Sequence, residues 1–409
     1  MSEQTLPADN SAGITTQGKT EPMLTCFSIA NYRSICELTL PLGRLNVITG
    51  ENGSGKSNLY KALRLLAETA KEGVIGSLAE EGGLTSTYWA GPETLSPGMR
   101  RGEVPIEGGP RHNVLRLKLG FASDHFGYAI TLGLPTPSSS AFAHDPEIKR
   151  EVIFSGPYYR PASSLVERKA SLIKIREDRQ WQVVSQQVPV FGSMFDQLAD
   201  PHAAPEVFQV RETIRNWRFY DHFRTDKDAP ARQAQLLTRT PVLHHDGRDL
   251  ASALQTIMEI GDRHALAHAI DDAFPGSRLE VIHHSEGRSS LAFHQKGLLR
   301  PLSAAELSDG TLRFILWVAA LMTPRPPELM VLNEPETSLH PDLLPALARL
   351  ILQASQHTQI WVISHANRLV NALMRDPECH IIELEKELGQ TRIKGQNMLD
   401  VPAWRWPDE

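Results

Sequence analysis

"RLNVITGENGSGKSNLYKALRLLAE", residues 44 to 68, decides the fold. A short β-rich run ends in a glycine-rich turn, after which Leu59, Leu63 and Leu66 recur at helical spacing, with a glycine stop at Gly73. Between strand and helix lies "GENGSGKS", Gly50 to Ser57, which fits G-x-x-x-x-G-K-[ST] without a gap. Gly50, Gly53 and Gly55 let the backbone curl so that successive N–H groups face a β-phosphate, and the N-terminus of the next helix adds partial positive charge. In such a loop Lys56 reaches the β- and γ-phosphates and Ser57 ligates magnesium, with Asn52, Ser54 and Asn58 completing the nucleotide-contacting set. The motif reads phosphates and not the base, so it implies a nucleoside triphosphate and leaves the class of protein to its companions.

Outward from this stretch, "LTCFSIANY" and "CELTLPL" read as strands, so order is expected from Leu24 onward. Residues 1–22 have no apolar run of the signal-peptide kind and read as a solvated tail. Toward the C-terminus the pattern alternates: helix 309–322, strand 328–333, helix 341–355, strand 359–363, helix 366–374, strand 379–384. That alternation predicts a mostly parallel sheet with helices packed on it. The middle is looser. "NVLRLKLGFA", "GYAITLGL" and "REVIFS" predict antiparallel strands, helices are expected near 205–220 and within 249–275, and "LEVIHH" and "SSLAFHQ" predict two more strands. The resulting division is a P-loop core at 23–75 and 300–390, an inserted β-rich lobe at 76–245, a second lobe at 246–299 and a tail at 391–409. In the tail, Trp404 and Trp406 either pack on the rest of the chain or recruit a partner.

The bulk numbers exclude several classes. With 409 residues and a net charge of -6, the chain has no global basic field to draw it onto nucleic acid or an anionic membrane, so any DNA contact needs a local patch. Three cysteines, Cys26, Cys36 and Cys379, are too few for a disulfide framework and lack zinc-type spacing. No apolar run has the length to span a bilayer. The expected location is the cytoplasm, without a membrane partner. No heptad run survives the 16 prolines between residues 58 and 307, which excludes long coiled-coil arms.

Three further stretches follow the P-loop in order: "ELSDGTLRF" (306–314), "VLNEPETSLHP" (331–341) and "IWVISHANRL" (360–369). With "NYRS" (31–34), this set resembles the ATP-binding-cassette heads of the SMC, RecF and overcoming-lysogenization-defect ATPases, over residues 24 to 385. The resemblance implies an α/β P-loop NTPase: a mixed sheet with helices on both sides, plus the inserted lobe. It implies ATP and magnesium as cofactors, and a head-to-tail dimer in which Ser308, Asp309 and Gly310 of one copy bind the γ-phosphate held by the other. Asp309 and Gly310 would open a helix whose free N–H groups can meet an anion, although Ser308 or Asp309 would also serve as an ordinary cap. Glu334 matches the general base that orients water, and His365 matches the histidine that bonds the γ-phosphate. Glu336 and His340 lie in the turn that crosses the interface in such heads. The implied setting is DNA repair, genome maintenance or defence against foreign DNA, with DNA or an effector protein such as a nuclease as partner.

Asn333 departs from the pattern, because an aspartate usually holds a magnesium-bound water there. An amide oxygen still accepts but brings no charge, a deficit of roughly 1 to 1.5 kcal/mol in a hydrogen bond. A slow, magnesium-dependent ATPase is expected, since Glu334 is retained. Two other readings compete. A transporter ATPase subunit is disfavoured by "LSDGT", "NYRS" and the roughly 250 residues between Ser57 and Ser308. A self-contained nuclease is disfavoured because 44 residues after His365 are too few for an added metal-binding domain. The adjacent pairs His244–His245 and His283–His284 would point to opposite faces of a strand and could not share a metal. Arg33 reads as a nucleotide or DNA contact or a solvated strand-end residue. "RNWRFYDHFR" (215–224) reads as an amphipathic helix with Trp217 and Phe223 inward.

Overall fold

The computed structural model describes residues 23–407 apart from 72, 109–110, 179, 199–201, 203 and 398–399. The 1–22 tail lies outside the described residues. Three strands open the chain, β1 (Leu24–Tyr32), β2 (Ile35–Pro41) and β3 (Leu45–Gly50), and helix α1 (Lys56–Glu68) follows the P-loop. A run of antiparallel strands comes next: β4 (Leu117–Ser123), β5 (Phe126–Gly133), β6 (Glu147–Ser155), β7 (Ser164–Lys169), β8 (Leu172–Glu177) and β9 (Gln180–Ser185). After a helix at Pro205–Asn216 come β10 (Arg218–Tyr220) and β11 (Gln235–Leu236), helices at Leu250–Ile260 and Arg263–Ala273, and then β12 (Arg278–His283), β13 (Arg288–His294) and β14 (Leu302–Ser303). The last third alternates: helix Asp309–Leu321, β15 (Leu329–Asn333), helix Leu344–Ala354, β16 (Gln359–Ile363), helix Asn367–Leu373, β17 (Cys379–Glu387) and β18 (Gln390–Ile393).

Two sheets position the site. The first runs β10-β15-β16-β3-β17-β18, parallel except for the antiparallel edge strand β18. Its inner strands are near-continuous apolar runs because both faces are covered. Along β15, Leu329 and Val331 enter one core while Met330 and Leu332 enter the other. Along β16, Trp361 and Ile363 take the first face and Ile360 and Val362 the second. This period of two is what the strand pleat imposes.

The second sheet is antiparallel, ordered β2-β1-β4-β5-β6-β7-β8-β9. It packs over α1, so that Leu59, Leu63 and Leu66 are enclosed in one core with Phe27, Ile29 and Leu119 on one side and Ile48 and Val331 on the other. Helices 309–321, 344–354 and 250–260 cover the opposite face of the parallel sheet and form the second core. The fold is therefore an α/β P-loop NTPase with a mixed sheet between two layers. Strand pairing crosses residue 75, since β4 pairs with β1, and β10, at 218–220, belongs to the parallel sheet.

Two expectations are corrected. The stretch 215–224 is not a helix: the helix stops at Asn216, β10 pairs with β15, and an extended segment follows. Trp217 and Phe223 are nonetheless buried, as core contacts override the helical spacing. His244 and His245 lie in a turn and not on a strand, so their rings stack with centroids 4.1 Å apart and, with Asp246, bring ligand atoms within 4.8 Å of one another. His244 already bonds Asp246 through Nδ1 at 2.7 Å and meets Arg248 at Nε2, so both of its ring nitrogens are engaged. At the C-terminus, Trp404 packs on Phe154 and Trp406 on Trp404, with centroids 6.1 and 5.2 Å apart.

Candidate nucleotide site

The P-loop spans the gap between β3 and α1. Gly50, Gly53 and Gly55 all have positive φ, at 144°, 82° and 111°, which a Cβ would strain. Space adds a second constraint at two of them. A Cβ on Gly50 would strike the Leu384 carbonyl of β17, and one on Gly55 would strike the Thr391 side chain of β18. Lys56 folds back onto the loop, donating from Nζ to the carbonyls of Gly50 at 2.5 Å and Glu51 at 2.9 Å. Its ammonium thus stands over the cradle, and a phosphate oxygen is a stronger partner for it than these carbonyls. Ser54 is buried with an unpartnered hydroxyl, while Ser57 is exposed on the first turn of α1.

The loop is braced from behind. Ser34 shares a hydroxyl contact of 2.7 Å with Thr391, and Thr391 donates to the Ser54 carbonyl at 2.9 Å. Asn58 donates to Ser34 at 2.8 Å, so its amide faces this brace and not the cradle. Arg33 pairs with Glu81 at 2.7 Å. "NYRS" therefore contributes support to the phosphate loop through Ser34.

The other groups stand at the C-terminal edge of the parallel strands, where α/β sites gather. Glu334 follows β15 with φ 49°, an uncommon backbone for a side chain of its size, fixed by its N–H to the Ile363 carbonyl at 2.8 Å and its carbonyl to the Thr337 N–H at 3.0 Å. His365 follows β16, the strand beside β15, and its Nδ1 lies 3.6 Å from the Glu334 carboxylate. Register brings these two together across 31 residues of sequence. Glu336 turns inward instead: its side chain is 8% exposed and accepts from the Ser364 hydroxyl at 2.8 Å and the His365 N–H at 3.2 Å. It holds the Glu334–His365 turn in place and does not project outward. His340 is exposed and accepts from the Asp342 N–H at 3.3 Å as a cap.

Asn333 ends β15 and donates through Nδ2 to Asp221 at 3.1 Å. Asp221 directly follows β10, and its other oxygen accepts from Arg64 of α1 at 2.9 Å. Beside it, burial first and then the Asp221 charge push the Tyr60 hydroxyl well above its usual range. Sequence reasoning missed Asp221. Its only mark was an apolar pair followed by an acid, "FYD", within a stretch that fits helical spacing equally well.

Ser308 caps the 309–321 helix, accepting from the Thr311 N–H at 3.2 Å. Asp309 pairs with Arg232 at 2.7 Å, and Arg232 also donates to the carbonyls of Ala304 and Leu307 at 2.8 and 2.7 Å. These polar contacts of 308–310 stay within their own turn and on Arg232, and Ser308 and Asp309 are exposed to solvent. Arg232 was not singled out in the sequence, since a lone arginine in a loop carries no pattern. Gly310 packs against the turn after β15, where a Cβ would lie 3.2 Å from the Ser338 carbonyl.

A family model described as "AAA domain, putative AbiEii toxin, Type IV TA system" matches residues 45–371, from the P-loop strand through the segment after His365. The chain belongs to this AAA domain family. No curated protein matches it. Among solved structures, this AAA domain is similar to the SMC head bound to the C-winged helix domain of ScpA, with 11% identity, 92% of this chain and 98% of that chain covered, and a TM-score of 0.48. It is also similar to the SMC head domain from Thermotoga maritima, with 14% identity, 92% and 100% covered, and a TM-score of 0.42. A third is the Smc head domain with an extended coiled coil bound to the C-terminal domain of ScpA, derived from Pyrococcus furiosus, with 11% identity, 91% and 96% covered, and a TM-score of 0.47. No helix among the described residues is long and apolar enough to cross a membrane.

Proposed function

We propose that this AAA domain binds ATP in the Gly50–Ser57 loop and hydrolyses it slowly, in a nucleotide-dependent head-to-tail homodimer. The observation that carries the reading is the Glu334–His365 pair, held 3.6 Å apart at the strand edge that also carries the P-loop. Glu334 is the group to accept a proton from an attacking water, and His365 the one to bond the γ-phosphate and steady Glu334. Lys56 exchanges its loop carbonyls for phosphate oxygens. The oxygen donors at this edge, the Ser57 hydroxyl, the Asn333 amide and the nearby carboxylates, are the type that magnesium selects. Magnesium held by Ser57, and through water by Asn333, would neutralise charge on the β- and γ-phosphates.

The dimer reading is supported by what one chain leaves open to solvent. Ser308, Asp309 and the N-terminus of the 309–321 helix face solvent, and a helix N-terminus of this length favours an anion. A partner's γ-phosphate is the ligand that the resemblance to SMC and RecF heads assigns to it. A lone chain would then lack part of its charge stabilisation and turn over slowly. The setting implied by the same resemblance is DNA repair, genome maintenance or defence against foreign DNA, with DNA or an effector protein as partner. The deciding experiment is light-scattering mass of the Glu334→Gln variant with and without ATP and magnesium, repeated with duplex DNA. Doubling of mass with ATP is expected. ATP bound with the mass unchanged would remove the dimer, and no ATP bound would remove the whole reading.

A further inference from the structure

The parallel register pairs Tyr220 with Leu332, so Asp221 and Asn333 leave adjacent strands side by side. We propose that Asp221 is the acid of this metal site: a positioning residue that supplies the negative charge residue 333 lacks and fixes the orientation of the Asn333 amide. The inference rests on the nucleotide-binding reading above and deepens it.

The hydrogen bond between the two side chains sets the amide's orientation. With Asn333 Nδ2 donating to the Asp221 carboxylate at 3.1 Å, the amide oxygen is the group left to accept from a metal-bound water. The reverse orientation would set two acceptors against each other. Helix α1 gives the second argument. Ser57, Tyr60 and Arg64 stand at i, i+3 and i+7, on one face of the helix. Tyr60 packs its ring on Phe219 of β10, with centroids 5.9 Å apart, and Arg64 bonds Asp221. The face that bears the Ser57 hydroxyl is therefore the face turned to β10, so Ser57, Asn333 and Asp221 converge on one side of the P-loop.

The Arg64–Asp221 pair is open to solvent, with side chains 49% and 36% exposed. An ion pair this exposed contributes little to stability, which leaves Asp221 able to exchange its arginine for a hydrated cation. A buried pair would not be so labile. The expected weak hold on magnesium assumed that nothing replaces the missing aspartate. In the folded chain a carboxylate stands one strand away from the vacant position.

The test uses Mn²⁺ as the probe, counted by the electron paramagnetic resonance of the free ion, in the presence of ADP. ADP binding in EDTA and thermal melting of the metal-free protein serve as controls. Asp221→Asn should weaken Mn²⁺ binding roughly tenfold, the difference between a charge-assisted and a neutral hydrogen bond. The exchange Asp221→Asn with Asn333→Asp should restore it to within about threefold, because the charge returns to the same place. Arg64→Gln, which leaves both residues intact, should tighten Mn²⁺ binding about two- to threefold by removing a competitor. Unchanged affinity in Asp221→Asn, failure of the exchange to restore it, or loosened binding in Arg64→Gln would each overturn the assignment. If the unaltered protein takes up neither ADP nor Mn²⁺, the nucleotide reading itself falls, and this inference with it.

Discussion

The two sides of the candidate site are built in opposite ways. The phosphate cradle is contiguous: eight residues, Gly50 to Ser57, carry the glycines, the lysine and the hydroxyl. The acidic edge is composite, drawing on Asp221, Asn333, Glu334, Glu336 and His365, which come from the ends of three strands. The difference follows from the chemistry of each side. Phosphate is recognised by backbone N–H groups, which any curled glycine loop presents, so the information is local. Water activation and metal holding need side-chain charges at set separations, and only strand register sets those separations.

That contrast can be broken by experiment. The largest effect is expected from Glu334→Gln, which should slow single-turnover hydrolysis about 10² to 10⁴-fold while ATP affinity stays near that of the unaltered protein. Rapid-quench measurement checks it, and an unchanged rate would move the base elsewhere on the composite edge. Lys56→Ala should weaken ATP binding by about 1.5–3 kcal/mol, the worth of one hydrogen bond to a charged group, as measured by calorimetry. Undiminished affinity would mean that the cradle is a turn and not a phosphate site. Arg232→Ala frees the Ala304 and Leu307 carbonyls and Asp309. It should lower stability by roughly 1–3 kcal/mol and abolish ATP-dependent dimerisation without loss of ATP binding, which joint calorimetry and light scattering would show. Ser34→Ala, which removes the hydroxyl between Asn58 and Thr391, should cost about 1 kcal/mol in denaturant unfolding. A larger loss of ATP affinity than of stability there would sharpen the comparison, since it would show that the contiguous cradle depends on its brace.

Legibility in the sequence followed the same division. β15 and β16 were readable because a parallel strand covered on both faces is an apolar run, and the acid and histidine just beyond them inherit a meaning from that position. β10 was not readable. It is three residues long, too short to show a period of two, and it abuts a helix whose spacing continues through it. The histidine pair failed for a related reason. Opposite-facing rings follow only from a strand, and residues 244–245 form a turn in which adjacent rings can stack. Glu336 is assigned by resemblance to the turn that crosses the interface, but the Ser364 hydroxyl and the His365 N–H draw its side chain inward.

By itself, then, the sequence determined the glycine-rich loop between strand and helix, the alternating order of the parallel sheet's elements and the placing of Glu334 and His365 just beyond two of its strands, because each depends on neighbours within a few residues. Tertiary structure alone decided that the strands of 117–185 join β1 to roof α1, that Arg232 ties down the 304–309 turn, and that Asp221 meets Asn333. Those contacts join residues from 70 to more than 100 positions apart in the chain, and only strand pairing and the packing of distant turns bring such residues within reach of a hydrogen bond.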